Sequence, residues 1–424
     1  MTGIVIAGAQ WGDEGKGKFI DLFAADAAAV VRAQGGSNAA HTVKYNGETY
    51  NLRQIPDGVF YDQADSYIGP GVVVDPRLLL EECDSLAMRG VNTSRVYVDA
   101  RAHVIMPWHI IIDRLAETAR KHGEIGTTLR GVGPCYMDKA GRIGLRMHDF
   151  VDPNRFENAV RAIGEAKNNV ITKLYGAPPL DLDVIVGEYR HYSERLRPRV
   201  ADTSAMLHAL IRQGKQVVFD CALGSMLDID MGTYPYVTSS HPVAGGAFIG
   251  SGVGASCAGT VIGVAKAYTT RIGKGAFPTE LRNDIGDFIC LKGGENNVMP
   301  GRQSRCGWFD AVVVRYSARV NGFTEMAVNK IDPLCGLLTL KICTAYRLDG
   351  RILDEFPADF SDLERCEPIY EEYEGFDEDI TKITSYEKLP EAVKLYVDAI
   401  EKACDCPVRM LGVGPGRDQI IHRR

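Results

Sequence analysis

Apolar and polar positions along this chain switch repeatedly between a strand-like and a helix-like period. Ile4 to Ala7 is a short unbroken apolar run, as in a buried strand, and Phe19-Ile20-Asp21-Leu22-Phe23-Ala24 resumes at helical spacing. Ala28 to Arg32 predicts a second strand, Leu78 to Met88 a helix, and Val96 to Val98 and Val104-Ile105 further strands. Ile111, Leu115 and Thr118 share one face of a helix expected from Ile110 to Lys121. From about Asn154 to Arg212 the pattern is helical and polar, a candidate excursion from the sheet. Gln216 to Asp220 returns as a buried strand. Gly232 to Ser240 and the glycine run Gly245 to Gly254 read as long loops before a helix, and such loops in a compact domain are usually functional. Val261 to Tyr268, Glu325 to Val328, Leu337 to Ala345 and Val408 to Leu411 complete the predicted strands, with helices at Asp310 to Val320 and Pro390 to Ala403.

Strands and helices thus alternate from end to end, without internal repeat, low-complexity tract or linker. That predicts one α/β domain over residues 1–424, with a large, mostly parallel central sheet flanked by helices. The helical excursion over about 154–212 and a small α+β subdomain over about 335–424 attach to it. With 424 residues, 45% of them hydrophobic and 24% charged, the chain can bury one large core or two ordinary ones. A net charge of −7 argues against a broad nucleic-acid or membrane surface, so basic residues should act locally, on particular phosphates. No signal or lipidation pattern opens the sequence, and no apolar run reaches the length of a membrane span. Eleven scattered cysteines, with Cys404-x-Cys406 the one close pair, lack zinc-type spacing and read as reduced thiols of a cytoplasmic protein.

The chemistry concentrates in loops that follow strands. Gly8-Ala9-Gln10-Trp11-Gly12-Asp13-Glu14-Gly15-Lys16-Gly17-Lys18 joins the first strand to the first helix, the geometry in which backbone amides and a helix N-terminus face an anion. Gly12 to Lys18 fits a P-loop spacing, but Phe19 stands where a hydroxyl would hold magnesium. Asp13 is the natural replacement, as metal ligand or as base. A tight turn that merely needs glycine is the plainer reading, and it leaves two lysines and two carboxylates unexplained.

Asn329-Lys330-Ile331-Asp332 follows another strand. A carboxylate there can accept paired hydrogen bonds from the guanine ring N–H and exocyclic amine, donors that adenine does not present. Gly412-Val413-Gly414-Pro415 could wall the other side of the base or be a simple αβ turn. Asn38, Ala40, His41 and Thr42 crowd one small-residue loop. In an open parallel sheet that loop meets Asp13 at the carboxyl edge, where a carboxylate and an imidazole could together serve phosphoryl transfer. His41 could equally be an ordinary satisfied histidine. Arg142, Arg302 and Arg305 are further anion-ligand candidates, Arg305 also reading as a solvated surface charge.

These strings together resemble the adenylosuccinate synthetase family, from Ile4 to the C-terminus. Gln10-Trp11-Gly12-Asp13-Glu14-Gly15-Lys16-Gly17-Lys18, Gly126-Thr127-Thr128, Gly232 to Ser240, Cys306-Gly307-Trp308-Phe309-Asp310 and Asn329 to Asp332 carry the match. The resemblance implies a GTP- and magnesium-dependent C–N ligase, usually a homodimer, that phosphorylates the 6-oxygen of inosine 5′-monophosphate (IMP) and displaces the phosphate with L-aspartate. It implies Asp13 as base and magnesium ligand, His41 as its catalytic partner, and the carbonyl of residue 40 as a second metal ligand. For GTP it implies Gly12, Glu14, Gly15, Lys16, Gly17, Lys18, Ala40, Thr42, Lys330, Asp332, Gly412, Gly414 and Pro415. For the monophosphate it implies Asn38, Thr128, Leu223, Thr238 and Arg302, with Arg142 reaching the neighbouring subunit's site. For the amino acid it implies Met299, Pro300, Arg302 and Ser304.

Several of these positions depart from the family pattern. Leu223 stands for a glutamine that contacts the purine, Pro300 for a hydroxyl, Ser304 for an arginine and Ala40 for a glycine. A paralogue using the same chemistry on a modified purine or C-nucleoside monophosphate, or on another amine, is therefore an alternative. A GTP-binding regulatory protein without ligase activity is another.

Overall fold

The computed structural model describes residues 2–39, 41–45, 47–120, 123–295 and 304–423. β1 (Gly3–Gly8) runs through the middle of a ten-stranded sheet. From edge to edge the order is Ile420–His422, Val408–Gly412, Glu325–Asn329, Ala258–Lys266, β1, Val217–Asp220, β2 (Ala29–Arg32), Asp65–Ile68, Val96–Asp99 and Val200–Ala201. Every pairing is parallel except the outermost, Val408–Gly412 with Ile420–His422. The unbroken apolar runs follow from this: Val5, Ile6 and Ala7 are covered on both faces and fully buried. The strands beside β1 both come from later in the chain. Connections therefore diverge on either side of it, and the loops after its parallel neighbours gather at one edge.

α1 (Lys16–Ala24) starts from Gly15, whose φ of +79° a side chain would strain. Its apolar stripe, Phe19, Ile20 and Ala24, packs on Ile6, Val30, Val218, Ile262 and Val264 of the sheet.

Three expectations change. The glycine run read as a loop opens with a helix, Ala244–Ser251. A Cβ on Gly250 would sit 1.9 Å from the carbonyl oxygen of Ala33, so glycine there permits close packing instead of breaking the helix. His41 does not lie in a loop but begins β3 (His41–Tyr45), paired antiparallel with β4 (Glu48–Leu52). The polar stretch is helical as read, over Phe156–Asn169, Leu182–Leu196 and Thr203–Arg212. Yet Val200–Ala201 returns from it to the edge of the main sheet. Near the C-terminus, Leu337–Leu348 pairs with Phe309–Asp310, Arg351–Leu353 and Glu367–Phe376 in a separate sheet, while Val408–Gly412 rejoins the large one. Among the described residues no helix is long and apolar enough to cross a membrane.

Candidate functional site

The loops at the carboxyl edge surround a cavity of about 900 Å³. Gly12, Asp13, Gly15, Lys16, Gly17 and Lys18 line one side of it, where the first amides of α1 are exposed to an anion. Glu14, expected to face the nucleotide, instead turns inward and is fully buried. Its carboxylate accepts from the amides of Gly12 (2.9 Å) and Gln10 (3.1 Å) and pairs with Lys16 Nζ at 2.6 Å. Glu14 thus folds the loop and holds the lysine at the cavity floor.

Asn329 Nδ2 donates to the carbonyl of Glu14 (3.0 Å), tying the second motif to the first. Lys330 and Asp332 line the cavity beside Gly414 and Pro415. Lys18 Nζ donates to the carbonyl of Gly414 (2.9 Å), and burial pushes its pKa down to about 8 against the pull of Asp332. Burial pushes the Asp332 carboxyl up, and Lys18 and Lys330 restrain it. Lys330 Nζ is itself clamped by Glu295 Oε1 (2.6 Å) and the carbonyl of Gly293 (2.9 Å). Glu295 also takes Lys266 Nζ (2.9 Å) and Tyr268 OH (2.6 Å). Nothing in Gly293-Gly294-Glu295 marked that acid beforehand.

On the other side lie Asn38, His41, Thr42, Thr128, Leu223 and Thr238. Asn38 Nδ2 reaches Thr238 Oγ1 at 3.4 Å. Asp113 shapes the threonine loop by accepting from Thr127 Oγ1 and the Gly131 amide, both at 3.0 Å. Asn38 Oδ1, Arg32 Nε and Asp220 Oδ2 are buried without a hydrogen-bond partner among the described residues, and all three residues line the cavity. Buried polar atoms left in this state are the kind a polar ligand satisfies.

Asp13 and His41 share the cavity, but among the described residues no hydrogen bond or ion pair joins them. The carboxylate beside the imidazole is Asp57, with Oδ1 2.5 Å from His41 Nε2. Burial alone would lower the histidine's pKa; the Asp57 charge beside it outweighs that and pushes it up. Asp57 begins the short 3-10 helix Asp57–Phe60, a setting that gave no cue to its partner. Asp13, Leu223 and Lys330 all hold left-handed backbone, with φ of +58°, +67° and +55°. Such strain in non-glycine residues gathers at functional sites. Asp13's carboxylate is exposed and carries no hydrogen bond among the described residues, so its hard oxygens fit a magnesium ion.

Other candidates lie elsewhere. Arg142 is exposed at the end of the helix Val132–Gly141, off the cavity wall. Arg305 donates to Glu280 Oε2 (3.2 Å) and the Gly275 carbonyl (2.7 Å), a structural role. Ser304 is buried in the strand Ser304–Gly307, also off the wall. Gly412 ends its strand behind Asn329 and Lys18. Ala40, Met299, Pro300 and Arg302 lie outside the described residues.

The profile of the adenylosuccinate synthetase family matches residues 5–421. An adenylosuccinate synthetase of Thermoanaerobacter sp. strain X514 is 47% identical over 421 residues, covering 99% of each chain. One of Alkaliphilus metalliredigens strain QYMF is 48% identical over 423 residues, covering 100% of this chain and 99% of its own. The structure of fully ligated adenylosuccinate synthetase from Plasmodium falciparum matches with a TM-score of 0.94 at 36% identity, covering 99% of both chains.

Proposed function

Because the chain belongs to the adenylosuccinate synthetase family, we propose that it is a GDP-forming carbon–nitrogen ligase that joins L-aspartate to IMP. The observation that carries this reading is the convergence of Asp13, His41, Lys16 and Asp332 on one cavity. Asp13 takes the proton from the purine ring nitrogen, which makes the 6-oxygen nucleophilic. That oxygen attacks the γ-phosphorus of GTP, the bond to the β–γ bridging oxygen breaks, and GDP leaves. Lys16 and the first amides of α1 hold the migrating charge, with His41 beside it. A carbonyl oxygen is a hopeless leaving group, whereas its phosphate ester is a good one. The aspartate amine then attacks C6 and expels phosphate.

Asp332 accepts from guanine, with Lys330 fixed by Glu295 beside it. Asn38, Thr128 and Thr238 hold the monophosphate, and Leu223 offers the purine an apolar contact. Asp13 is the carboxylate that would hold magnesium, which supplies positive charge against the GTP phosphates. On the amino-acid side, Ser304 supports no direct contact, since its side chain is buried away from the cavity. The chain assembles as a homodimer: Arg142 is exposed at the end of a helix that also exposes Met137 (72%), with Ile143 (55% exposed) just beyond it, a surface open to a second copy.

The altered-substrate and non-catalytic readings are not favoured. Relatives sharing 47–48% of the sequence over its whole length carry the adenylosuccinate synthetase name. Incubation with GTP, magnesium, IMP and aspartate should release GDP and a succinylated purine one for one. GDP without that product, or no turnover, would remove the reading.

A further inference from the structure

We infer that Asp57 is a positioning residue for His41: it anchors the imidazole through Nε2 and leaves Nδ1 as the ring nitrogen available to the transferring phosphoryl group. The inference rests on the role of His41 proposed above. Asp57 is 0% exposed, and its Oδ1 lies 2.5 Å from His41 Nε2. Neither of its oxygens has a hydrogen-bond partner among the described residues, so the close ion pair with His41 is the contact that answers its charge. A buried carboxylate without a partner is strongly disfavoured, so the imidazole is what makes this burial tolerable.

The pair also sits where the phosphates are expected. A Cβ built on Gly17, in the first turn of α1, would lie 3.7 Å from Asp57 Oδ2 and 3.9 Å from the Cβ of His41. The pair is therefore packed against the helix end whose amides face the cavity, and that positive end favours the Asp57 carboxylate. Other charged groups acting on the pair include Asp220 and Arg32 from the strand ends, Asp21 from α1, and Glu82. Arg32 and Asp220 approach each other to 3.9 Å, so they largely answer one another and leave Asp57 as the charge that orients the ring. His41 itself keeps 17% of its side chain exposed, on the cavity wall. One ring nitrogen is thus committed to a rigid anchor, and the ring is held at the wall before substrate arrives.

The test is Asp57→Asn, alone and combined with His41→Asn, assayed with GTP, magnesium, IMP and aspartate. The single variant should lower kcat about 10- to 100-fold while each KM stays within about threefold. In the His41→Asn background the same change should cost nothing further. Unchanged kcat, or an effect that multiplies with that of His41→Asn, overturns the inference. The second measurement uses the chain labelled with 15N-histidine. The His41 Nε2 resonance should mark a protonated, hydrogen-bonded nitrogen in the native chain and shift in Asp57→Asn. A resonance that does not move overturns the inference even where the variant has lost activity by misfolding. A native chain that releases no GDP would instead sink the functional reading, and the resonance still decides whether Asp57 holds the ring.

Discussion

Asp332 shows how its surroundings act on a single carboxylate. Burial pushes its carboxyl up, and the charges of Lys18 and Lys330 oppose that rise. On the proposed reading, replacement by asparagine adds donors where guanine needs acceptors. Asp332→Asn should raise the KM for GTP about 10- to 100-fold and narrow the preference over ATP. Steady-state kinetics with both nucleotides checks this, and undiminished discrimination removes Asp332 from the base pocket. The lysine motif was readable because its residues are consecutive. Glu295, which clamps Lys330, was not: its partners Lys266 and Lys330 come from separate strand ends. Likewise, Asp57 meets His41 only because the chain folds a turn against β3 and α1.

The glycine-rich helix Ala244–Ser251 illustrates packing overruling local preference. It lies so close to the loop after β2 that Gly250 approaches Ala33 backbone to backbone. Gly250→Ala improves intrinsic helicity yet forces the helix outward, and should destabilise by about 1–3 kcal/mol or more. A variant melting at or above the native temperature would refute that contact.

The helix Ala311–Asn321 carries a different cost at its start. Asp310 caps it, accepting from the Val313 amide (3.2 Å) and from Tyr346 OH (2.7 Å), and burial pushes its carboxyl up to about 6 from an ordinary 3.8. Between about pH 4 and 6 the folded chain therefore keeps a proton that the unfolded chain has lost. Stability from this group is highest below that window and falls as pH rises through it. The loss is complete above about pH 6 and amounts to about 3 kcal/mol for the shift of roughly 2 units. Asp310→Asn should flatten that segment of the stability–pH curve, as denaturant unfolding at several pH values would reveal.

For the molecule as a whole, a chain of net charge −7 gathers a group of cations at one interior site. Lys16, Lys18, Lys330 and Arg32 all line the cavity. Anionic substrates are therefore attracted at one place and not by the surface at large. Arg142 lies outside that arrangement, at the end of a helix whose Met137 is exposed, with Ile143 exposed just beyond it. If a second copy covers this face, specific activity should fall on dilution as sedimentation shows dimers dissociating. Arg142→Leu should then raise the KM for IMP and leave the KM for GTP unchanged. Activity constant over the dilution range in which dimers separate would disprove a shared site.

The amino-acid sequence by itself determined most of the element types, the mostly parallel α/β architecture and the two loop motifs that line the cavity. Each of these is written in short stretches, where periodicity, glycine and neighbouring side chains act on one another directly. Tertiary structure decided what faces what. It turned Glu14 inward onto loop amides, made a helix of a glycine run, and set Asp57, not Asp13, against His41. These outcomes depend on close approach between segments far apart in the chain. Burial and Coulomb forces act through space, and linear spacing carries no record of which side chains they will bring together.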